Sequence, residues 1–149
     1  MKLILKKIEA GENEVIIKYL ERNRQIERII ECVKGQTNKI VATNEEKSFL
    51  VAPKDVIYLE SVDGVTYLYT AQEVYRTGLT LAEAEGMYEE EGFFRCSKSM
   101  VINLYQIHTL KSQPGNRIDA TMDNGEHVII SRRYAKQFRA ALKGGWSRE

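Results

Sequence analysis

With 149 residues, 43% of them hydrophobic, and a formal net charge of +1, the chain is long enough for one domain with a sizeable core and a short appended element, and too short for two ordinary domains. No apolar run reaches the ~18–20 residues of a membrane-spanning helix. The opening MKLILKKIEAGENE meets charge and Gly11 too early for a secretion signal, so a soluble cytoplasmic protein is expected.

Taken in chain order, residues 2–8 (KLILKKI) and 14–19 (EVIIKY) are rich in apolar and β-branched residues and are separated by Gly11 and Asn13, which predicts a hairpin. Ile26, Ile29, Ile30 and Val33 then recur at helical spacing, and Gly35 predicts an end near Lys34. From residue 38 the pattern becomes a meander of short strands: KIVAT, KSFLVA, VIYLESV, VTYLYT and EVYRTG. Asp63 and Gly64 form the dipeptide that a tight type I′ turn prefers. After Gly78, LTLAEAEGMYEEE predicts a short acidic helix capped by Thr80, with Gly86 weakening it.

The last third predicts strands near FFRCS, VIN, QIHTLKS, RIDATM and HVIIS, with turns at Gly115/Asn116 and Asn124/Gly125. Ser131 opens a helix in which Tyr134, Phe138 and Leu142 share one face, and Gly144 and Gly145 end it. Charge is unevenly spread. From Arg95 to Glu149 ten Lys/Arg stand against four Asp/Glu, a net of +6, while the first 94 residues carry −5. A basic C-terminal third suits a polyanion at one end of the molecule.

Three blocks together resemble the LytTR family of bacterial DNA-binding domains: PKDVIYLESVDGVTYLYT (53–70), FFRCSKSMVINLYQI (93–107) and HVIISRRYAKQF (127–138), with the acidic helix between the first two. The resemblance implies a mostly β, α+β fold, an elongated antiparallel LytTR-type arrangement that offers loops to DNA. It divides the chain into a ββα N-terminal extension (1–37), the DNA-binding domain (38–143) and a C-terminal tail (144–149). Many members carry a receiver domain before the DNA-binding region. The residues ahead of the match are too few for one.

By the same resemblance the partner is double-stranded promoter DNA, bound at repeated sites in successive major grooves, with self-association of two copies on the DNA. Candidate base contacts are Thr66, Lys98 and Arg133, and Ser97, Ser99, Ser131, Arg132 and Lys136 can donate to phosphates. Arg132 and Arg133 open a helix, where two cations oppose the helix dipole, so ligand contact explains them better than stability does. Lys111, Arg117, Arg139 and Lys143 fit ordinary surface cations. Short proteins similar to this one are often encoded beside a small membrane protein that restrains them, which makes such a protein a second expected partner.

Catalysis is not expected. His108 and His127 have no acidic or cysteine companion at ligand or triad spacing, and no phosphate-cradling glycine loop is present, so neither cofactor nor small-molecule substrate is indicated. Cys32 and Cys96 have neither metal-ligand nor disulfide-framework spacing, and Cys96 reads as a buried strand thiol. Tyr58, Tyr67, Tyr69 and Tyr75 read as strand and core aromatics rather than a base-stacking platform. The competing reading is a protein-interaction module, tethered by a membrane partner and weak in DNA binding.

Overall fold

Residues that tolerate a left-handed backbone set where the strands turn. The computed structural model describes residues 1–143, the side chains of 35–38 excepted. Asp63 and Gly64 take φ of 50° and 80°, the pair of positive angles that a type I′ turn demands. They join β3 (Val56–Val62) to β4 (Val65–Thr70), with Val62 opposite Val65 and Ser61 opposite Thr66.

With β1 (Ile40–Asn44), β2 (Lys47–Val51), β5 (Val74–Thr77), β6 (Phe93–Ser97) and β7 (Met100–Asn103), these strands form a seven-stranded antiparallel sheet in the order β2-β1-β5-β4-β3-β7-β6. The expected pairing of successive strands holds for β1 with β2 and for β3, β4 and β5, but β2 does not pair with β3. The first hairpin joins the sheet through β1 on β5, Ala42 facing Thr77, because that position takes Ile40, Ala42 and Val51 into the core that holds Leu59 and Leu68. A 3-10 turn started by Pro53 carries the chain back to β3. β8 (Ile107–Gln113), β9 (Arg117–Met122) and β10 (His127–Ile130) make a second antiparallel sheet, in the order β10-β9-β8.

Strand alternation feeds two cores. On β7, Val101 joins Leu59 and Leu68 under α2 (Leu81–Met87). Its neighbour Ile102 faces the other way, toward Ile118, Ala120, Val128 and Ile130 of the small sheet and Ala135 and Phe138 of α3 (Arg132–Lys143). α2 begins on a complete capping box, Thr80 and Glu83 each bonding the other's backbone amide. The capping bonds hold the Glu83 carboxyl below its ordinary value. α3 presents the predicted face of Tyr134, Phe138 and Leu142, and Ala135 is buried beside it.

Two compact units are distinguished, Met1–Thr37 and a second beginning at Asn38. In the first, α1 (Arg24–Asn38) starts where Asn23 Oδ1 accepts from the Ile26 amide at 3.0 Å. Ile26 is buried, and Ile29, Ile30 and Val33 are half-buried. The helix continues past the expected stop at Gly35: an interior glycine costs only about 1 kcal/mol and does not by itself end a helix. The two strands of the predicted ββα extension do not form. Gly11 has the left-handed φ of a turn, yet among the described residues no strand is assigned before Ile40. No backbone hydrogen bond joins 2–8 to 14–19 either. An isolated two-stranded hairpin gains too little to hold together without a third strand or a packed helix. The expected tail, 144–149, lies outside the described residues.

Candidate nucleic-acid interface

The turn between β6 and β7 consists of Lys98 and Ser99, and its shape is set by Arg95. The Arg95 guanidinium donates from Nε to the Ser97 carbonyl at 2.9 Å and from Nη2 to the Lys98 carbonyl. Ser97 Oγ accepts from the Ser99 amide at 3.3 Å. With its carbonyls bound on one side, the turn leaves the Lys98 side chain in solvent.

Two further backbone bonds bring the other predicted segments to this turn. The Ser61 amide donates to the Ser99 carbonyl at 2.9 Å, and the Ser131 amide to the Cys96 carbonyl at 2.9 Å. The end of the β3–β4 hairpin, the FRCSKS segment and the start of α3 are therefore hydrogen-bonded into one patch, although about 70 residues separate the first from the last.

Arg132, Arg133 and Lys136 are exposed at the start of α3, and Ser131 is half-buried. The Arg133 guanidinium lies 5.7 Å from the centroid of the Tyr134 ring, within cation–π range. Beside it opens a cleft of about 400 Å³ lined by Gly115, Arg117, Ser131, Arg132 and Arg133. Sequence reasoning assigned Arg117 to ordinary surface charge. The β8–β9 turn carries it here instead, held by Arg139, whose Nη1 donates to Asn116 Oδ1 at 2.9 Å. The usable signal was Arg117's place directly after the Gly115/Asn116 turn, where a long donor projects from a loop tip.

Thr66 requires correction. It is buried, on the same side of β4 as Leu68 and between Ser61 and Thr77 in register. Its short hydroxyl cannot reach a base edge from there. Lys98, Ser99, Arg132, Arg133 and Lys136 are exposed, and Ser97 is half-buried. Among the described residues none of Lys98, Arg117, Arg132, Arg133 and Lys136 enters an ion pair. Exposed cations without carboxylate partners can accept a polyanion without first breaking an ion pair.

The remaining candidates divide clearly. Burial pushes the Cys96 thiol up to about 12, so at neutral pH it is protonated and unreactive. Each histidine lies near an aspartate that linear spacing did not reveal: His127 Nδ1 is 2.9 Å from Asp119 Oδ1, and His108 Nδ1 is 4.0 Å from Asp123 Oδ1. His127 and Asp119 sit on the neighbouring strands β10 and β9, Asp123 lies in the turn just after β9, and both imidazoles are exposed. No group of three or more His, Cys, Asp or Glu that could hold a metal occurs among the described residues. Tyr58 stacks on Tyr69 at 4.3 Å and donates to Glu126 Oε2 at 2.8 Å, joining the two sheets. Burial first, then this bond, raises its phenol above the ordinary value. No helix among the described residues is long and apolar enough to cross a membrane.

Residues 46–143 match the model of the LytTr DNA-binding domain. Sensory transduction protein LytT of Bacillus anthracis is 29% identical over 111 residues, covering 74% of this chain and 45% of that protein. LytT of Bacillus subtilis is 26% identical over 134 residues, covering 90% of this chain and 56% of its own length. The chain thus spans about half the length of these relatives. An uncharacterized HTH-type transcriptional regulator of Staphylococcus aureus is 25% identical over 139 residues, 91% of this chain and 94% of that protein. Among solved structures, a LytTr DNA-binding domain from Bacillus cereus aligns with a TM-score of 0.68 at 28% identity, covering 73% of this chain and 98% of that one.

Proposed function

The chain belongs to the LytTR family of DNA-binding transcription regulators, and from that premise we propose that it binds double-stranded promoter DNA sequence-specifically through the patch around Lys98 and Arg133. Arg133 and Lys98 read base edges in adjacent segments of the major groove, where long donors reach guanine O6 and N7. Arg132, Lys136, Ser97, Ser99 and Ser131 hold phosphates, assisted by the amides at the start of α3. Arg117 joins the phosphate set from the β8–β9 turn. Thr66 drops out of the base-reading set, and the β3–β4 hairpin contributes by supporting the Lys98 turn.

The observation that carries this reading is the pair of backbone bonds, Ser61 to Ser99 and Ser131 to Cys96. They gather three distant segments into one surface whose exposed cations have no carboxylate partner among the described residues. In this reading residues 38–143 form the DNA-binding domain, two copies occupy repeated promoter sites, and the work is done in the cytoplasm, where the DNA is.

A fluorescence anisotropy titration of footprinted promoter fragments at several salt concentrations tests it. The Lys98→Ala/Arg133→Ala chain is expected to lose specific affinity and sequence discrimination while it keeps salt-dependent non-specific association. Unchanged affinity and discrimination would refute the assignment. If the chain is instead an interaction module restrained by a membrane partner, the unaltered protein will show only salt-labile association without sequence preference.

A further inference from the structure

Arg139 has no place among the proposed DNA contacts, yet it is tied to one of them. The loop between β8 and β9 has only three residues, 114–116, because Gln113 already pairs with Arg117. Gly115 and Asn116 both take left-handed backbones, with φ of 81° and 59°, and asparagine is among the few non-glycine residues that adopt this conformation readily. Its short side chain serves a second purpose. Oδ1 accepts from Arg139 Nη1 at 2.9 Å, which ties the turn to α3. Among the described residues no other hydrogen bond joins 114–116 to that helix.

The tie acts on the cleft lined by Gly115, Arg117, Ser131, Arg132 and Arg133. Arg132 and Arg139 are two helical turns apart and share one face of α3. The helix thus supplies one wall of the cleft and also holds the turn that forms the other. The Arg117 guanidinium lies over the turn it follows: Nε and Nη2 would stand 3.6 and 3.7 Å from a Cβ at Gly115. Where the turn sits therefore decides where this guanidinium sits. None of Arg117, Arg132 and Arg139 has a carboxylate partner among the described residues, so no ion pair competes for Arg117.

We propose that Arg139 is a positioning residue for DNA binding: its bond to Asn116 fixes the β8–β9 turn so that Arg117 closes with Arg132 on one backbone phosphate. On the DNA reading given above, on which this rests, that phosphate is held by two elements locked together rather than by α3 alone. Arg139 itself does not touch the DNA.

Anisotropy titrations of the full chain on footprinted promoter fragments at several salt concentrations, with urea unfolding of each variant, test the positioning role. Asn116→Gly keeps the left-handed turn and every charge but removes the acceptor, and Arg139→Ala removes the donor. Each is expected to weaken specific binding roughly two- to tenfold, the worth of one hydrogen bond. Each should also lower the salt slope toward that of Arg117→Ala, which loses about 1. A merely structural role would reduce the amount of folded protein and leave the slope in place. In an Arg117→Ala chain, adding Arg139→Ala should change neither affinity nor slope, because the two act through one contact.

A slope near the unaltered value in both single variants would overturn the proposal in favour of a structural role. A further fall of about 1 on adding Arg139→Ala to Arg117→Ala would overturn it in favour of a direct phosphate contact. If the unaltered chain shows no sequence-specific binding, the DNA reading fails and the positioning role with it. Specific binding that Lys98→Ala/Arg133→Ala abolishes and Arg139→Ala leaves intact would sink the positioning role alone.

Discussion

The Ser61 amide donates to the Ser99 carbonyl at 2.9 Å, so the β3–β4 hairpin buttresses the turn that carries Lys98. The opposite flank is tied by the Ser131 amide on the Cys96 carbonyl. β6 and its turn therefore lie between the other two segments, and small changes at the turn should be felt as changes in DNA affinity rather than in folding.

Arg95 is the sharpest test of that idea, because it binds the Ser97 and Lys98 carbonyls without itself being part of the proposed contact set. Arg95→Ala is expected to weaken specific DNA binding by roughly three- to tenfold, about 0.7–1.4 kcal/mol, through loss of Lys98 positioning. The salt slope should stay within experimental error, since no phosphate contact is removed. Anisotropy titrations at three salt concentrations separate the two outcomes. A change in slope as large as that of a phosphate-contact variant would mean that Arg95 touches DNA.

Arg133 and Lys136 stand one helical turn apart on α3 and are assigned different tasks. Arg133→Ala should cost about 1–3 kcal/mol and relax discrimination at one base position. Lys136→Ala should weaken specific and non-specific DNA alike and lower the salt slope by about 1. Measuring both variants against a matched pair of fragments, one with the contacted base changed, distinguishes them. Identical behaviour would dissolve the division of roles.

The contrast between these two residues also bears on what could be read from the chain before its fold. The turn dipeptide Asp63/Gly64, the cap at Thr80 and the α3 face of Tyr134 and Phe138 depend on near neighbours, and all were legible. That Lys98 would stand in a turn and Arg132 and Arg133 at a helix start was legible for the same reason, and all three are exposed there. Three features set by distant parts of the fold were not legible. The place of β1 beside β5 depends on a pairing between residues more than 30 apart. Thr66 lies on the buried side of β4, which strand alternation between Val65 and Leu68 leaves ambiguous. Arg117 reaches the cleft only because the small sheet packs across β6.

Cys96 supplies a prediction in pH. Its ordinary value of 9.0 holds in the unfolded chain, and burial moves the folded value up to about 12. Between those values the folded state binds more protons than the unfolded one. Stability is therefore fully present below pH 9 and falls as pH rises above it, by ~1.4 kcal/mol per pH unit from this group. Urea titrations at pH 8.5 and 10.5 should show the loss, and Cys96→Ala should lack this component of it. At neutral pH a thiol reagent should label Cys32, which is exposed, and reach Cys96 on the order of a hundredfold more slowly. Equal labelling of both would contradict the burial of Cys96.

Gly92 and Asn103 together set the position of β6, and their variants should act on stability. Gly92 has φ of 93°, and a Cβ there would run into the Tyr105 ring and stand 3.1 Å from Asn103 Oδ1. Asn103 is buried and fully used: Nδ2 donates to the Val56 and Pro53 carbonyls at 2.8 and 3.3 Å, and Oδ1 accepts from the Tyr105 amide at 3.0 Å. Asn103→Ala strands these groups and should cost about 1–3 kcal/mol. Gly92→Ala should cost a similar ~1–3 kcal/mol, part from the left-handed backbone and part from the ring. Gly64→Ala provides the control, since its φ is 80° and nothing lies within 4 Å of the added Cβ. It should lose only the backbone part, about 1 kcal/mol. If the Tyr105 ring is the second cause at Gly92, shortening it relieves the clash, so Gly92→Ala/Tyr105→Ala should be less destabilised than the sum of the single changes. Strict additivity in urea unfolding would mean that the ring yields freely and that backbone strain alone accounts for the glycine.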